Sequence, residues 1–310
     1  MRPDEALPSE SGDGQLLDAK TLAAYLKALP RRPLLVGGEL RLSLAGAQDK
    51  LALVYRDGAF FLPRGQSATT HILKTEIEGF DNTVANEFFC LRLASRLGLD
   101  VPAVDMRRVE DVQFLMVERY DRVARGQSIQ RLHQEDFCQA LGVVPERKYQ
   151  AEGGPSIVDC FQVLAACRYP ARARLEFMRR VILNFLIGNA DAHGKNFALL
   201  YPAARSKPRL APLYDVLCTR AYLDHTDRMA MKIGGKRRFD TVLERHWRRL
   251  ADDVEFAWPG VLRTCMDWSE RVPELARKLA DELGELGELQ VIRRIIEVVD
   301  KGAETLPVGR

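Results

Sequence analysis

The chain has 310 residues, 46% of them hydrophobic and 29% charged, enough for one large domain or two lobes around a sizeable core. Its formal net charge of +3 neither requires nor excludes a nucleic-acid partner, and its six scattered cysteines, with no CxxC pair, argue against a zinc ribbon or a disulfide-stapled secreted domain. No signal-like start and no apolar run near the roughly 20 residues that span a bilayer can be found, so the expected location is the cytoplasm.

Residues 1–17 are polar and rich in Pro, Ser, Gly, Asp and Glu, and read as a flexible tail. Asp18 is placed to cap a helix over Ala19 to Leu29, with Leu22, Tyr25, Leu26 and Leu29 on one face and Pro30 as its stop. The segment Arg41 to Lys50 sets small residues between two strand-like runs. Ser43, Ala45, Gly46 and Ala47 let a ligand approach the backbone, and N–H groups there could cradle phosphate, although the GxxxxGK[ST] pattern is absent. The same residues also suit an ordinary hairpin. Asp57-Gly58 between two strands is a stronger hairpin signal.

Thr70 to Lys74 reads as a short strand whose terminal lysine can meet phosphate oxygens as a point charge, or stand solvated at an edge. An amphipathic helix follows from Asn82 to Leu97, stopped by Gly98, and its Glu87 could pair with Lys74. Val101 to Val104 and Val112 to Tyr120 read as further strands. Residues 18–121 thus form a small sheet with little helix and no βαβ alternation.

From residue 122 to 310 the pattern becomes mainly helical. Helices are expected over Arg131 to Gly142, Ile157 to Cys167 and Arg174 to Leu186, and in the stretch that ends near Val299. Trp247, Trp258 and Trp268 read as packing residues there. Lys148 to Ser156 reads as a polar loop and Gly234 to Arg238 as a basic one.

The helix ending at Leu186 runs into Asn189-Ala190-Asp191-Ala192-His193-Gly194-Lys195-Asn196. Asp191 and Asn196 have the spacing of the base and the metal-binding amide in the protein-kinase loop HRDxxxxN. Tyr214-Asp215 then brings a second carboxylate from a short strand. A loop carboxylate, a loop amide and a second carboxylate suit magnesium and phosphate. The plainer reading makes Asp191 a helix cap and Asn196 a turn residue.

Taken in order, Ser43-Leu44-Ala45-Gly46-Ala47-Gln48-Asp49-Lys50, Ile72-Leu73-Lys74, Val117 to Arg122, Asn189 to Asn196 and Leu213-Tyr214-Asp215 resemble the HipA family of serine/threonine-kinase toxins of bacterial type II toxin–antitoxin systems. The resemblance runs from about residue 40 to the C-terminus. It implies an α+β, two-lobed, protein-kinase-like fold: an N-lobe over residues 18–121 and a helical C-lobe over 122–310. Only 42 residues precede Ser43, which resembles the short HipT form, whose missing N-terminal subdomain is matched by a separate small HipS-like protein. The loop carries Ala45 where HipT proteins can have a second serine.

The resemblance makes Asp191 the base that takes the proton of a substrate serine or threonine. Asn196 and Asp215 would hold Mg2+. ATP would be held by Ala45, Gly46, Ala47, Gln48, Asp49 and Lys50 over its phosphates and by Lys74, with Glu87 as the partner of that lysine. Glu118, Arg119 and Tyr120 would read the adenine, and His193, Gly194, Lys195, Asn196, Tyr214 and Asp215 would line the reacting end. Ser43 resembles a serine that the family autophosphorylates to silence itself. The implied partners are a HipB-like helix-turn-helix antitoxin, through which DNA would be met only indirectly, the HipS-like protein, and an aminoacyl-tRNA synthetase as substrate. Two other readings stay open from sequence: an inactive HipA-like corepressor module, and a small-molecule phosphotransferase of the aminoglycoside type.

Overall fold

The computed structural model describes residues 14–29, 50–65, 67–126, 128–222 and 227–309. These fall into two compact units: the described residues up to Phe88 with Pro102–Leu132, and Phe89–Val101 with the described residues from His133 onward. Ser43 and Ala45 to Asp49 lie outside the described residues.

The first unit is built on an antiparallel sheet. Its strands are β1 (Gln15–Leu17), β2 (Lys50–Arg56), β3 (Ala59–Leu62), β4 (His71–Lys74), β5 (Val104–Val109) and β6 (Val112–Glu118). Among the described residues their order is β1-β3-β2-β4-β6-β5. Gln15–Leu17, read from the sequence as the end of a tail, instead pairs in register with β3 and buries Leu17. Asp57 and Gly58 turn β2 into β3 with both φ angles positive, the hairpin that Asp-Gly favours.

Helix α1 (Ala19–Ala28) starts where Asp18 accepts the Thr21 N–H at 2.7 Å. Its Leu22 and Leu26 join Leu51 and Leu53 of β2, Leu73 of β4, and Phe114 and Met116 of β6 in one buried cluster. The two-residue alternation along β2 and β6 places all of these on one face. Residues in between, Ala52, Lys74 and Leu115, are buried on the opposite face. Helix α2 (Thr83–Arg96) supplies a partner for that face through Glu87, which meets Lys74. A hairpin of β7 (Arg122–Arg125) and β8 (Ser128–Arg131) completes the unit.

The second unit is mainly helical, with small sheets. Its helices are α3 (Phe137–Ala140), α4 (Ile157–Val163), α5 (Pro170–Leu186), α6 (Glu244–Asp253), α7 (Trp258–Glu282) and α8 (Gln290–Thr305). Strands β9 (His133–Asp136), β10 (Ala198–Tyr201) and β11 (Arg209–Leu210) pair in the order β11-β10-β9. Strands β12 (Arg228–Ile233) and β13 (Lys236–Arg238) form a hairpin around Gly234-Gly235.

The helix expected over Arg131 to Gly142 is therefore corrected. Residues 133–136 pair with β10, from Ala198↔Asp136 to Tyr201↔His133. The helix begins only at Phe137, because Asp136 caps it: its carboxylate accepts the Gln139 N–H at 2.8 Å, and the Gln139 side chain answers on the Asp136 N–H at 2.8 Å. A good cap in mid-segment marked the break that periodicity alone passed over.

Phe137, Phe161, Phe177 and Phe197 pack with ring centroids 4.9 to 6.0 Å apart and centre the core of this unit. Trp247 and Trp268 are buried, as packing residues should be, while Trp258 is half-buried under the Arg248 guanidinium. All six cysteines are buried. Among the described residues, no helix is long and apolar enough to cross a membrane.

The end of α5 decides where the Asp191 loop lies. Gly188 N–H donates to Phe185 O at 3.1 Å and Asn189 N–H to Asn184 O at 2.9 Å, the paired bonds of a left-handed helix stop. Gly188 has φ +66°, and a Cβ there would lie 2.7 Å from Val298 Cγ1. Both facts call for glycine. On α8, a Cβ at Gly302 would lie 2.7 Å from Leu186 O, so α8 crosses this same helix end at backbone contact.

Candidate active site

The loop that follows α5 is hung from the helix by a chain of amides. Asn184 Nδ2 donates to Arg180 O at 2.9 Å, Asn189 Nδ2 to Asn184 Oδ1 at 2.8 Å, and Asp191 N–H to Asn189 Oδ1 at 3.1 Å. From the other side, Ala190 N–H donates to Thr219 Oγ1 at 2.8 Å, and Ala190 O accepts the Ala230 N–H of β12 at 2.9 Å. The backbone at Asp191 is thus fixed while its side chain, 50% exposed, faces outward.

Five residues on, Asn196 is buried in a turn. Its Oδ1 accepts the His193 N–H at 3.1 Å, and its Nδ2 donates to Asp215 Oδ2 at 3.1 Å. Asp215 follows β11 with φ +59°, a left-handed backbone that a side chain rarely adopts, here at a site residue. Tyr214 beside it donates its hydroxyl to Lys195 O at 2.8 Å. The second unit therefore brings Asp191, His193, Gly194, Lys195, Asn196, Tyr214 and Asp215 together.

His193 is buried, and its Nδ1 has no hydrogen-bond partner among the described residues. Burial lowers its pKa, while the charges of Asp191 and Asp215 both pull it the other way. One imidazole thus senses both carboxylates, with Asp191 Oδ1 3.9 Å from Nε2. Gly194 leaves no room for a side chain: a Cβ would lie 2.8 Å from Pro155 Cγ and 3.0 Å from Cys138 Sγ. Lys195 is half-buried.

In the first unit, Lys74 Nζ meets Glu87 Oε1 of α2 at 2.5 Å, with side chains only 8% and 1% exposed. The alternation of β4 explains the contact, because Leu73 faces α1 and Lys74 the opposite side, where α2 packs. Lys50 is the register partner of Lys74 across β2 and β4, so both ammonium groups leave the same face. Glu118, Arg119 and Tyr120 end β6 and leave it. Two of the backbone donors here are engaged within the unit: Glu118 N–H to Ala103 O at 2.9 Å, and Arg119 N–H to Thr70 O at 2.8 Å. The Arg119 guanidinium is held by Asp121 and Thr69.

Among the described residues, no three His, Cys, Asp or Glu side chains cluster as a metal cage. Asn196 and Asp215 offer hard oxygen donors, and a carboxamide oxygen that accepts one N–H keeps a second lone pair. One amide and one carboxylate, completed by phosphate and water oxygens, is a common way for proteins to hold Mg2+. The donor set fits the magnesium that the sequence implies.

Tyr149 was missed by the sequence reading, which left it in a polar loop. Its hydroxyl donates to Asp191 Oδ1 at 2.7 Å, and its ring stands edge-on to His193 with centroids 5.2 Å apart. The two residues lie 42 positions apart, and no spacing rule links them.

A sheet unit carrying a buried lysine–glutamate pair and a helical unit carrying an Asp-x-x-x-x-Asn loop with a following aspartate define a protein-kinase-like phosphotransferase. Comparisons with known proteins narrow the class. Residues 42–285 match the family of the HipA-like C-terminal domain. The putative kinase Y4mE of Sinorhizobium fredii is 44% identical over 92% of this chain and 68% of that protein. The serine/threonine-protein kinase toxin HipA of Shewanella oneidensis is 36% identical over 63% of this chain and 47% of that protein. A solved complex of Shewanella oneidensis HipA with HipB and operator DNA superposes with a TM-score of 0.78 at 26% identity, over 96% of this chain and 76% of that one. The Helicobacter pylori proinflammatory kinase CtkA shares the fold, with a TM-score of 0.50 at 14% identity over 82% of this chain and 94% of that one. This chain belongs to the HipA family of serine/threonine-kinase toxins.

The buried pair gives a direct test of the geometry. Lys74→Met or Glu87→Leu alone leaves one charge buried without its partner, at a cost of about 3–5 kcal/mol. Urea unfolding of both single variants and the double variant should show the double variant regaining much of that loss. Strictly additive losses would mean that the two side chains do not meet.

Proposed function

We propose that this chain transfers the γ-phosphoryl group of ATP to a serine or threonine of a protein, and that it acts as the toxin of a type II toxin–antitoxin module. The observation that carries the reading is the Asn196–Asp215 hydrogen bond, which joins the Asp191 loop to the second carboxylate. It is supported by family membership and by two carboxylates acting on one buried imidazole.

In this reading Asp191 is the catalytic base. Its outward carboxylate accepts the proton of the attacking hydroxyl, whose oxygen forms a bond to the γ-phosphorus as the bond from that phosphorus to the ADP oxygen breaks. Phosphoryl transfer asks for alignment and charge neutralisation more than covalent help. The amide chain from α5 supplies the alignment by fixing Asp191. Lys195, on the same turn as Asn196, would meet the γ-phosphate. Lys74, steadied by Glu87, and Lys50 on the neighbouring strand would meet the other phosphates, together with the residues from Ala45 to Asp49. Glu118 to Tyr120 would border the adenine. Asn196 and Asp215 would hold Mg2+, which when bound neutralises phosphate charge.

Several finer assignments rest on resemblance. The substrate is proposed to be an aminoacyl-tRNA synthetase, whose modification stops translation. Partners are proposed to be a HipB-like antitoxin, in keeping with the HipB-containing complex of the Shewanella oneidensis relative, and a HipS-like small protein. Ser43 is proposed as an autophosphorylation site. A phosphate there brings roughly −1.5 to −2 charges into a loop that must accept the phosphates of ATP, and so expels the nucleotide.

Two measurements test this. Incubated with radiolabelled ATP and a bacterial lysate, the protein should label at least one protein band besides itself. Asp191→Asn should lower that labelling by about 10²–10⁴-fold, and chelation of Mg2+ should abolish it. Label confined to small molecules, or an Asp191→Asn variant as active as the parent, would overturn the reading. For Ser43, calorimetric titration with ATP should show Ser43→Asp binding far more weakly than the parent, and undiminished binding would remove the proposed silencing.

A further inference from the structure

The loop from Lys148 to Pro155 packs against the Asp191 loop at several points. Tyr149 touches Asp191 and His193, and Pro155 fills the space over Gly194. The Gln150 side chain accepts the Lys232 N–H of β12 at 2.7 Å, and that strand, through Ala230, bonds the Asp191 loop itself. Local geometry fixes Tyr149 in turn. Gly154 N–H donates to Tyr149 O at 2.9 Å, and a Cβ at Gly154 would lie 2.3 Å from Arg147 O. Gly153 has φ +89°. The Gly153-Gly154-Pro155 run is thus needed to fold this short loop back over the base.

Asp191 is held unevenly. Its backbone is fixed from behind by the amide chain that ends at Asn189. Its carboxylate has a single hydrogen-bond donor among the described residues, the Tyr149 hydroxyl at 2.7 Å. The nearest His193 nitrogen is 3.9 Å away, too far for a hydrogen bond. A half-exposed aspartate without that donor would turn freely about its side-chain bonds.

We propose that Tyr149 is a positioning residue for phosphoryl transfer: its phenol pins Asp191 Oδ1 and so presents Oδ2 to the substrate hydroxyl. This rests on the kinase reading of Asp191. The neutral phenol suits the task, since it donates without adding charge beside the reacting phosphate. Burial first, and then the bond to Asp191, raise the Tyr149 pKa and keep the donor proton in place at any physiological pH. The edge-on contact with His193 sets the ring plane, so the hydroxyl meets the carboxylate at one fixed point.

Tyr149→Phe keeps the ring and removes only the donor. In the labelling assay its maximal rate should fall about ten- to hundredfold, with the KM for ATP and the melting temperature unchanged. Tyr149→Ala should lose the rate and melt lower as well, because the ring contact goes too. A Phe variant as fast as the parent would overturn the proposal. So would a faster one, which would make the phenol a competitor of the substrate hydroxyl. A second measurement reports the contact without turnover. In protein labelled at tyrosine Cζ, the Tyr149 and Tyr201 resonances should stay un-ionised near pH 10, where ordinary tyrosines are about half ionised. The Tyr149 resonance, identified as the one missing in Tyr149→Phe, should titrate lower in Asp191→Asn. If Asp191→Asn leaves it unchanged, the hydrogen bond is not formed and the proposal fails. Parent protein that transfers no label would end the kinase reading and this proposal with it, and the titration still shows whether the contact exists.

Discussion

The buried end of helix α5 is the constraint on which the site depends. A left-handed stop at Gly188 turns the chain, and the amide relay from Arg180 O through Asn184 and Asn189 carries the helix's rigidity onto Asp191. Each link is a buried carboxamide with its donor and its acceptor both used, so the relay has one low-energy arrangement. Glycine at 188 is required twice over, by its backbone angle and by Val298. Around that fixed point the loop can expose a carboxylate at its start and bury an amide at its end.

Burial separates the duties of the groups along the loop. Asp191 is half-exposed, which suits its proposed role as base. Asn196 is buried and bonded to Asp215, which suits its proposed role as a metal ligand. Burial lowers the pKa of His193 between them, against the pull of both carboxylates, and it makes no hydrogen bond to either. The first unit solves the matching problem for cations: β4 alternation turns Lys74 away from the apolar cluster, and Glu87 offsets the charge that burial would otherwise penalise.

Much of this was legible in the sequence. The strand-rich front, the helical back, the capped first helix, the Asp-Gly hairpin and the stop at Gly98 all follow from local chemistry. The site loop was legible because its residues lie within one short stretch, where spacing is geometry. The family resemblance tied Asp215 to that loop, and Glu87 was legible as a partner for Lys74. What stayed hidden was set by distant pairing. Residues 133–136 look helical until β10 claims them, and Gln15–Leu17 looks like tail until β3 does. Tyr149 lay in a stretch whose Gly-Gly-Pro run announced a turn but not its direction. Only the folded chain shows that the turn points at Asp191.

The central claim is that Asp191, Asn196 and Asp215 form one magnesium-dependent nucleotide site. The most direct measurement is calorimetric titration of the parent and of Asp215→Ala with a non-hydrolysable ATP analogue, with and without Mg2+. Mg2+ should strengthen binding to the parent severalfold or more, and Asp215→Ala should lose this dependence. Equal binding with and without Mg2+ in the parent, or an unaltered metal dependence in the variant, would contradict it.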